Sequence, residues 1–181
     1  MISQTESSTS APTVKLERWK GRIPGGGFEV TQLWLLMDAV APEIAVPPDE
    51  VNERVKRMLK HIHPPSIFIV AEVDHLVRGL IIAEVGDTAN TSHVGWLRME
   101  VDPNFRNQGI GTALVQAMIK EAEKEGLKRL EITNYRQNTR ARKFFRRFLF
   151  TVDGMHRRAR RDPQTGEFLD TYTLSLLLGV K

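Results

Sequence analysis

Apolar and polar positions change period repeatedly along this chain, and each change marks a new kind of element. From Thr31 to Val40, Leu33, Leu36, Met37 and Val40 recur at helical spacing, which predicts a helix. A second helix is announced by Pro47-Pro48-Asp49-Glu50, a proline and acid combination suited to a first turn. It runs to about His61 with Val51, Val55, Met58, Leu59 and Ile62 on its apolar side. Pro64-Pro65 stops it. Ile67 to Val73 then reads as a buried strand, Asp74-His75 as a turn, and Val77 to Val85 as the returning strand of a hairpin. Gly86 to Ser92 is polar loop. His93 to Val101 is a strand whose alternation sets Leu97, Met99 and Val101 on one face and Trp96, Arg98 and Glu100 on the other.

After Asp102-Pro103 the period becomes helical again. The helix after Gly111 sets Ala113, Leu114, Ala117, Met118, Glu121 and Ala122 against a charged opposite face, and Gly126 is placed to end it. Leu130 to Asn134 is the next strand. A short helix follows with Ala141, Phe144, Phe145 and Phe148 at i, i+3, i+4, i+7. Phe150 to about Arg160 and Leu169 to Leu178 form a last hairpin around residues 162–166. Before all of these, Val14 to Trp19 reads as a first strand with Val14, Leu16 and Arg18 on one side. Residues 1–13 are Ser/Thr-rich, nearly without large apolar side chains, and are expected to be a disordered tail. The glycines of Arg22 to Gly27 lack the Lys-Ser/Thr of a P-loop and read as a flexible connection. Strands alternating with helices predict an α/β fold, a mixed sheet with helices packed on its faces.

Composition bounds the rest. With 181 residues and 41% hydrophobic content, one domain over residues 14–181 is expected. No apolar run approaches the roughly 20 residues of a membrane-crossing helix, and the first residues lack the features of a signal peptide, so the expected compartment is the cytoplasm. The chain has no cysteine, which excludes disulfides, thiolate metal sites and an acyl-cysteine intermediate. The five histidines show no metal-ligand spacing on a helix face, and no metal is assigned.

The residues with chemical content cluster where strand meets helix. Arg106-Asn107-Gln108-Gly109-Ile110-Gly111 follows a strand and opens a helix. The first turn of a helix carries N–H groups without intrahelical partners, and the macrodipole adds positive charge there. Gly109 and Gly111 have no side chain to hold a phosphate away. Taken alone, this is either a pyrophosphate cradle or a tight structural turn.

The segment resembles the acyl-CoA binding motif of the GNAT acyltransferase superfamily: Arg or Gln, two residues, Gly, one residue, Gly or Ala, filled here by Arg106, Gly109 and Gly111. Asn138, Ala141 and the pair Phe144-Phe145 are similar to that superfamily's second motif, at the separation the family uses. The resemblance extends from about Ile67 to Leu178. It implies a central, mostly antiparallel twisted sheet with helices on both faces. It further implies transfer of an acetyl group from acetyl-CoA to a primary amine by direct attack in a ternary complex. Val101, Arg106, Asn107, Gln108, Gly109, Ile110, Gly111, Thr112, Asn138 and Lys143 would then contact the cofactor. The helical pair between Thr31 and His61 would border the acceptor pocket, so the acceptor is where the sequence says least.

Such a transfer needs a base for the amine, a donor for the developing oxyanion and a route for a proton to the thiolate. Glu100 is the candidate base; its structural alternative is a strand-paired carboxylate. Backbone N–H groups around Val101 suit the oxyanion. The proton route departs from the family pattern, in which the second aromatic is usually Tyr; here it is Phe145, which has no hydroxyl. Leu149-Phe150 stands where the family has Gly-Phe, and Asn107 where it commonly has Gly. Three routes stay open: Tyr135 or Tyr172, the only tyrosines, takes the role; water or the product amine protonates the thiolate, whose thiol has a pKa of about 8.5 or a little above; or activity is weak or absent. Tyr135 is the candidate carried forward with Glu100.

Asn138 also suits a helix N-cap, and both roles are compatible. The arginines from Arg140 to Arg161 fit nucleic acid, an acidic acceptor, or a solvated face with cofactor phosphate contacts. No stacking aromatics interleave the Arg-rich strand, which favours the last. The expected partners are an amine acceptor, small molecule or protein, with a homodimer compatible; nucleic acid and membrane are not expected. A non-catalytic acyl-CoA-binding regulatory module is the alternative, ahead of a basic nucleic-acid-binding protein.

Overall fold

In a computed structural model the described residues are 13–19, 33, 36, 55–57, 65–162 and 165–179. The predicted tail, the glycine loop, most of both early helices and residues 163–164 of the last turn lie outside them. Leu33, Leu36 and Val55 are helical and buried, as the two predicted helices require.

Seven strands form one sheet: β1 (Lys15–Trp19), β2 (Ile67–Val73), β3 (Leu76–Val85), β4 (Val94–Val101), β5 (Arg129–Tyr135), β6 (Thr151–Arg161) and β7 (Phe168–Leu177). Their order is β1-β2-β3-β4-β5-β7-β6, with every pairing antiparallel except β4 with β5. Helix α1 (Ile110–Lys124) connects the parallel pair, and α2 (Thr139–Arg146) follows β5. The β2–β3 turn is the predicted one: Asp74 and His75 both take left-handed dihedrals, φ 51° and 64°, as a two-residue hairpin turn demands.

Helix α1 packs on the face that carries Ile67, Ile69, Ile81, Ala83, Leu97, Leu130 and Ile132, burying Ile110, Leu114, Val115, Met118 and Ala122. Gly79 sets how close the helix can come. A Cβ there would lie 2.9 Å from Ile110 Cγ2 and 3.1 Å from Leu114 Cδ1. The opposite face is buried as well, with Phe68, Val70, Leu80 and Ile82 at no more than 1% exposure. At its end α1 closes with Gly126 at φ 79°, Gly126 N–H bonded to Glu123 (3.0 Å) and Leu127 N–H to Ala122 (2.9 Å), a Schellman motif. Glu121, expected on the apolar stripe, is half-buried because Arg18 of β1 binds it together with Glu125 (2.7 Å), tying the edge strand to the helix.

The start of α1 differs from the sequence expectation. The helix begins at Ile110, with Gly109 as its N-cap, so Gly111 lies inside the first turn rather than before it. Of the two glycines Gly109 alone takes a left-handed dihedral, φ 87°.

Candidate active site

Strands β4 and β5 pair over four residues, Val94–Leu97 against Arg129–Ile132, and then part. Arg98–Val101 and Thr133–Tyr135 face each other without a register partner. Antiparallel ladders alternate which residues bond to a given neighbour. Asp102 N–H donates to Arg78 (2.9 Å) and Gly86 N–H to Val94 (3.3 Å), so even-numbered residues of β4 turn their main chain to β3. Met99 and Val101 therefore direct their N–H groups into the gap. The Val101 carbonyl is taken by Arg106 Nε at 3.2 Å, which holds the motif arginine across the strand end.

The loop from this strand to α1 is braced from three sides. Asp102, 3% exposed, accepts from Asn104 N–H (3.0 Å) and from Arg78 Nη1 (3.1 Å), and the Arg78 guanidinium lies 4.2 Å from the Phe105 ring centroid. Asn107 sits at φ 61° and accepts from Arg140 Nη2 of α2 at 3.0 Å. Gln108 donates to the Asn104 carbonyl (3.3 Å). Asn is the residue other than Gly that best tolerates this region, so its presence where the family has Gly preserves the turn.

The first helical bond of α1 runs from Ala113 N–H to Gly109 O (2.9 Å), leaving the N–H groups of Ile110, Gly111 and Thr112 without helical partners, and no side chain caps them. A Cβ at Gly109 would meet no atom within 4 Å. The cradle is therefore open where a phosphate would approach, and it fits the polyanionic group that the motif implies.

Helix α2 flanks the cradle. Its N-cap is Asn138, whose Oδ1 accepts from Ala141 N–H at 2.9 Å, so the capping role holds. Phe144 lies over Gly111: a Cβ there would be 3.3 Å from its ring and 3.8 Å from Met99 Cε. Phe145 instead turns into the core, 2% exposed, edge-on to Phe144 and Phe150 at 5.2 and 5.3 Å. Lys143 is exposed on the helix. The two tyrosines occupy opposite faces. Tyr135, 39% exposed, is on the face of Glu100, which is half-buried. Tyr172 is on the α2 face under the Arg142 guanidinium, 5.2 Å from its ring centroid.

Arginines in and just before the basic section have structural partners. Arg136 pairs with Asp170 (3.2 Å), which also accepts from Arg158 N–H (2.9 Å), and Arg161 Nε donates to Gly166 O (3.1 Å). Arg129 binds Glu131 and Asp153. The Asp153 carboxyl is held below the usual carboxylate range by the Ser175 hydroxyl and the Arg129 guanidinium, and that of Asp170 by the Arg158 N–H and Arg136. Among the described residues no cluster of three or more His, Cys, Asp or Glu is arranged for a metal, and no helix is long and apolar enough to cross a membrane.

The model of the acetyltransferase (GNAT) family matches residues 33–150, more than half of the chain, and spans both motifs. The chain belongs to the GNAT acetyltransferase family. A curated relative, the L-amino acid N-acetyltransferase AaaT of Escherichia coli K12, is 27% identical over 108 residues, which is 59% of this chain and 65% of that protein. Among solved structures, an N-acetyltransferase from Staphylococcus aureus Mu50 superposes with a TM-score of 0.75 at 18% identity, over 91% of this chain and 98% of that one. The yncA protein of Salmonella typhimurium, solved with its cofactor acetyl-CoA, gives 0.70 at 15% identity, over 95% and 96%. At these identities the structures share the fold, a mixed α/β fold whose seven-stranded sheet here is mostly antiparallel.

The structure brings Val101 and Arg106 to Thr112 together where β4 meets α1, and the Arg140–Asn107 bond sets the α2 N-terminus capped by Asn138 beside them. Sequence reasoning missed Met99, whose contribution is a main-chain N–H and leaves no side-chain signal. It also missed Arg140 and Arg78. Asp102-Pro103, a turn-initiating pair, was the one local sign that the strand end is anchored by a buried carboxylate.

Proposed function

We propose that this GNAT protein is an N-acetyltransferase, moving an acetyl group from acetyl-CoA to a primary amine by direct attack in a ternary complex. One observation carries the reading: an uncapped helix N-terminus opens beside the gap into which Met99 and Val101 direct their N–H groups. The N–H groups of Ile110, Gly111 and Thr112, with Asn107, Gln108 and Gly109 around them, hold the pyrophosphate. Arg106 and Lys143 add positive charge for the phosphates, Asn138 positions α2 beside them, and Val101 lines the start of the gap. Acetyl-CoA supplies an acyl group already activated as a thioester. The Met99 and Val101 N–H groups stabilise negative charge on the acyl carbonyl oxygen. Glu100 accepts the proton of the incoming amine, directly or through water. Tyr135, on the same face as Glu100, donates the proton that leaves with the thiol; Phe145 has no hydroxyl to do so.

The acceptor is a small primary amine, and the activity of the curated relative puts L-amino acids first in the panel. The test is thiol release from acetyl-CoA across amines. Amine-dependent release above the hydrolysis background supports the reading. CoA binding without turnover on any amine would establish instead the non-catalytic module that Phe145 favours, and absence of CoA binding would remove both.

A further inference from the structure

One donor beside the gap has no role in the fold. Asn134 Nδ2 is buried, and among the described residues no group accepts its hydrogens. A buried donor without a partner is destabilising, and an apolar side chain of similar shape would fold better there. Strands favour β-branched and aromatic residues over Asn for the same position. Its place in the sheet is specific. Asn134 is the second residue of β5 after the pairing with β4 ends at Ile132. It stands opposite Tyr172 on β7 and shares a face with Leu130, Ile132 and α1. Had the β4–β5 ladder continued in register, its neighbour would be Met99, whose side chain lies near Gly111 and Phe144.

We infer that Asn134 is a ligand-binding residue whose carboxamide N–H donates to a carbonyl oxygen of the acyl-pantetheine arm running through the β4–β5 gap. This rests on the acyl-CoA reading above and adds to it a side-chain contact. A pantetheine arm carries two amide carbonyls and an acyl-CoA a third, so the chemistry in the gap is rich in acceptors and poor in charge. A neutral donor suits it; a lysine or arginine there would pay desolvation that no anion returns. Asn134 also shares its sheet face with Phe144 and Tyr172.

The test uses the full chain with Asn134→Leu, close in shape, and Asn134→Val, suited to a strand. Two ligands are titrated: CoA, and adenosine 3′-phosphate 5′-diphosphate, which has the phosphates but no arm. Thermal unfolding without ligand is measured alongside. The expected result is an unchanged or raised Tm, a CoA Kd weakened about tenfold by loss of one hydrogen bond, and an unchanged Kd for the armless nucleotide. A purely structural Asn134 would lower Tm and leave the ratio of the two Kd values untouched, which overturns the inference, as does CoA affinity equal to that of the wild type. If wild-type protein binds neither ligand, the acyl-CoA reading fails and this inference with it.

Discussion

Two glycines in the same stretch of chain allow backbone strain to be separated from ligand contact. Gly109 and Gly126 sit at opposite ends of α1, at φ 87° and 79°, and a Cβ added at either meets nothing within 4 Å. Alanine at either position therefore brings no clash, only the strain of a left-handed L-residue, about 1–2 kcal/mol. Part of that is offset by the stiffer unfolded chain, about 0.4–1 kcal/mol. Each variant should lose about 1 kcal/mol, a Tm decrease of about 2–4 °C in a chain of this size. Affinity for CoA should separate them. The methyl group of Gly109→Ala should enter the open cradle and hold a phosphate off the N–H groups of Ile110 and Gly111. Loss of one hydrogen bond to a charged group, about 1.5–3 kcal/mol, weakens binding about 10- to 150-fold. Gly126→Ala, beyond the other end of the helix, should leave Kd within about twofold. Thermal unfolding and calorimetric titration of both variants with CoA measure the two effects. Equal Kd values for Gly109→Ala and Gly126→Ala, with matched Tm, would refute the assignment of the α1 N-terminus as the phosphate cradle.

Leu149 holds φ 67° in the turn after α2, where Phe150 N–H reaches Phe145 O (3.4 Å) and Leu149 N–H reaches Arg146 O (3.1 Å). Its side chain is 78% exposed, so Leu149→Gly relieves strain with little loss of burial and should raise Tm by about 1–3 °C, read by differential scanning fluorimetry. Glu100→Gln should lower kcat/KM about 10²- to 10⁴-fold at neutral pH while CoA affinity holds, and recover part of the loss at high pH where the amine is already neutral; an unchanged pH–rate profile would remove Glu100 as the base. Asp153 and Asp170 both have folded pKa values below their unfolded ones. Their stabilisation is present above the unfolded value near 3.8 and is lost as pH falls through the folded one. Urea midpoints of the Asp153→Asn, Asp170→Asn double variant should accordingly lie below wild type at pH 7, and the difference should shrink as pH falls below the unfolded value near 3.8.

Much of this architecture is legible in local pattern. The strand from His93, the Asp74-His75 hairpin, the glycine turn and the Gly126 terminator follow from residue periodicity and from conformations that few residue types adopt, and each appears within a residue or two of its expected place. Asn107 and Leu149 depart from the family's glycines, yet both keep the left-handed dihedral that glycine would supply. What failed at the residue level was the start of α1, since two glycines two apart do not say which one bends the chain.

The sequence by itself therefore determined the family, the order of elements and the glycine turn that opens α1, because these rest on contacts a few residues apart. Only the tertiary structure decided that β7 inserts between β5 and β6, that β4 and β5 part after four residues, and that Phe145 faces the core while Asn134 keeps an unused donor beside the gap. Those outcomes depend on pairings between strands dozens of residues apart. Which main-chain and side-chain groups remain unpaired is a property of the whole sheet, not of any segment in it.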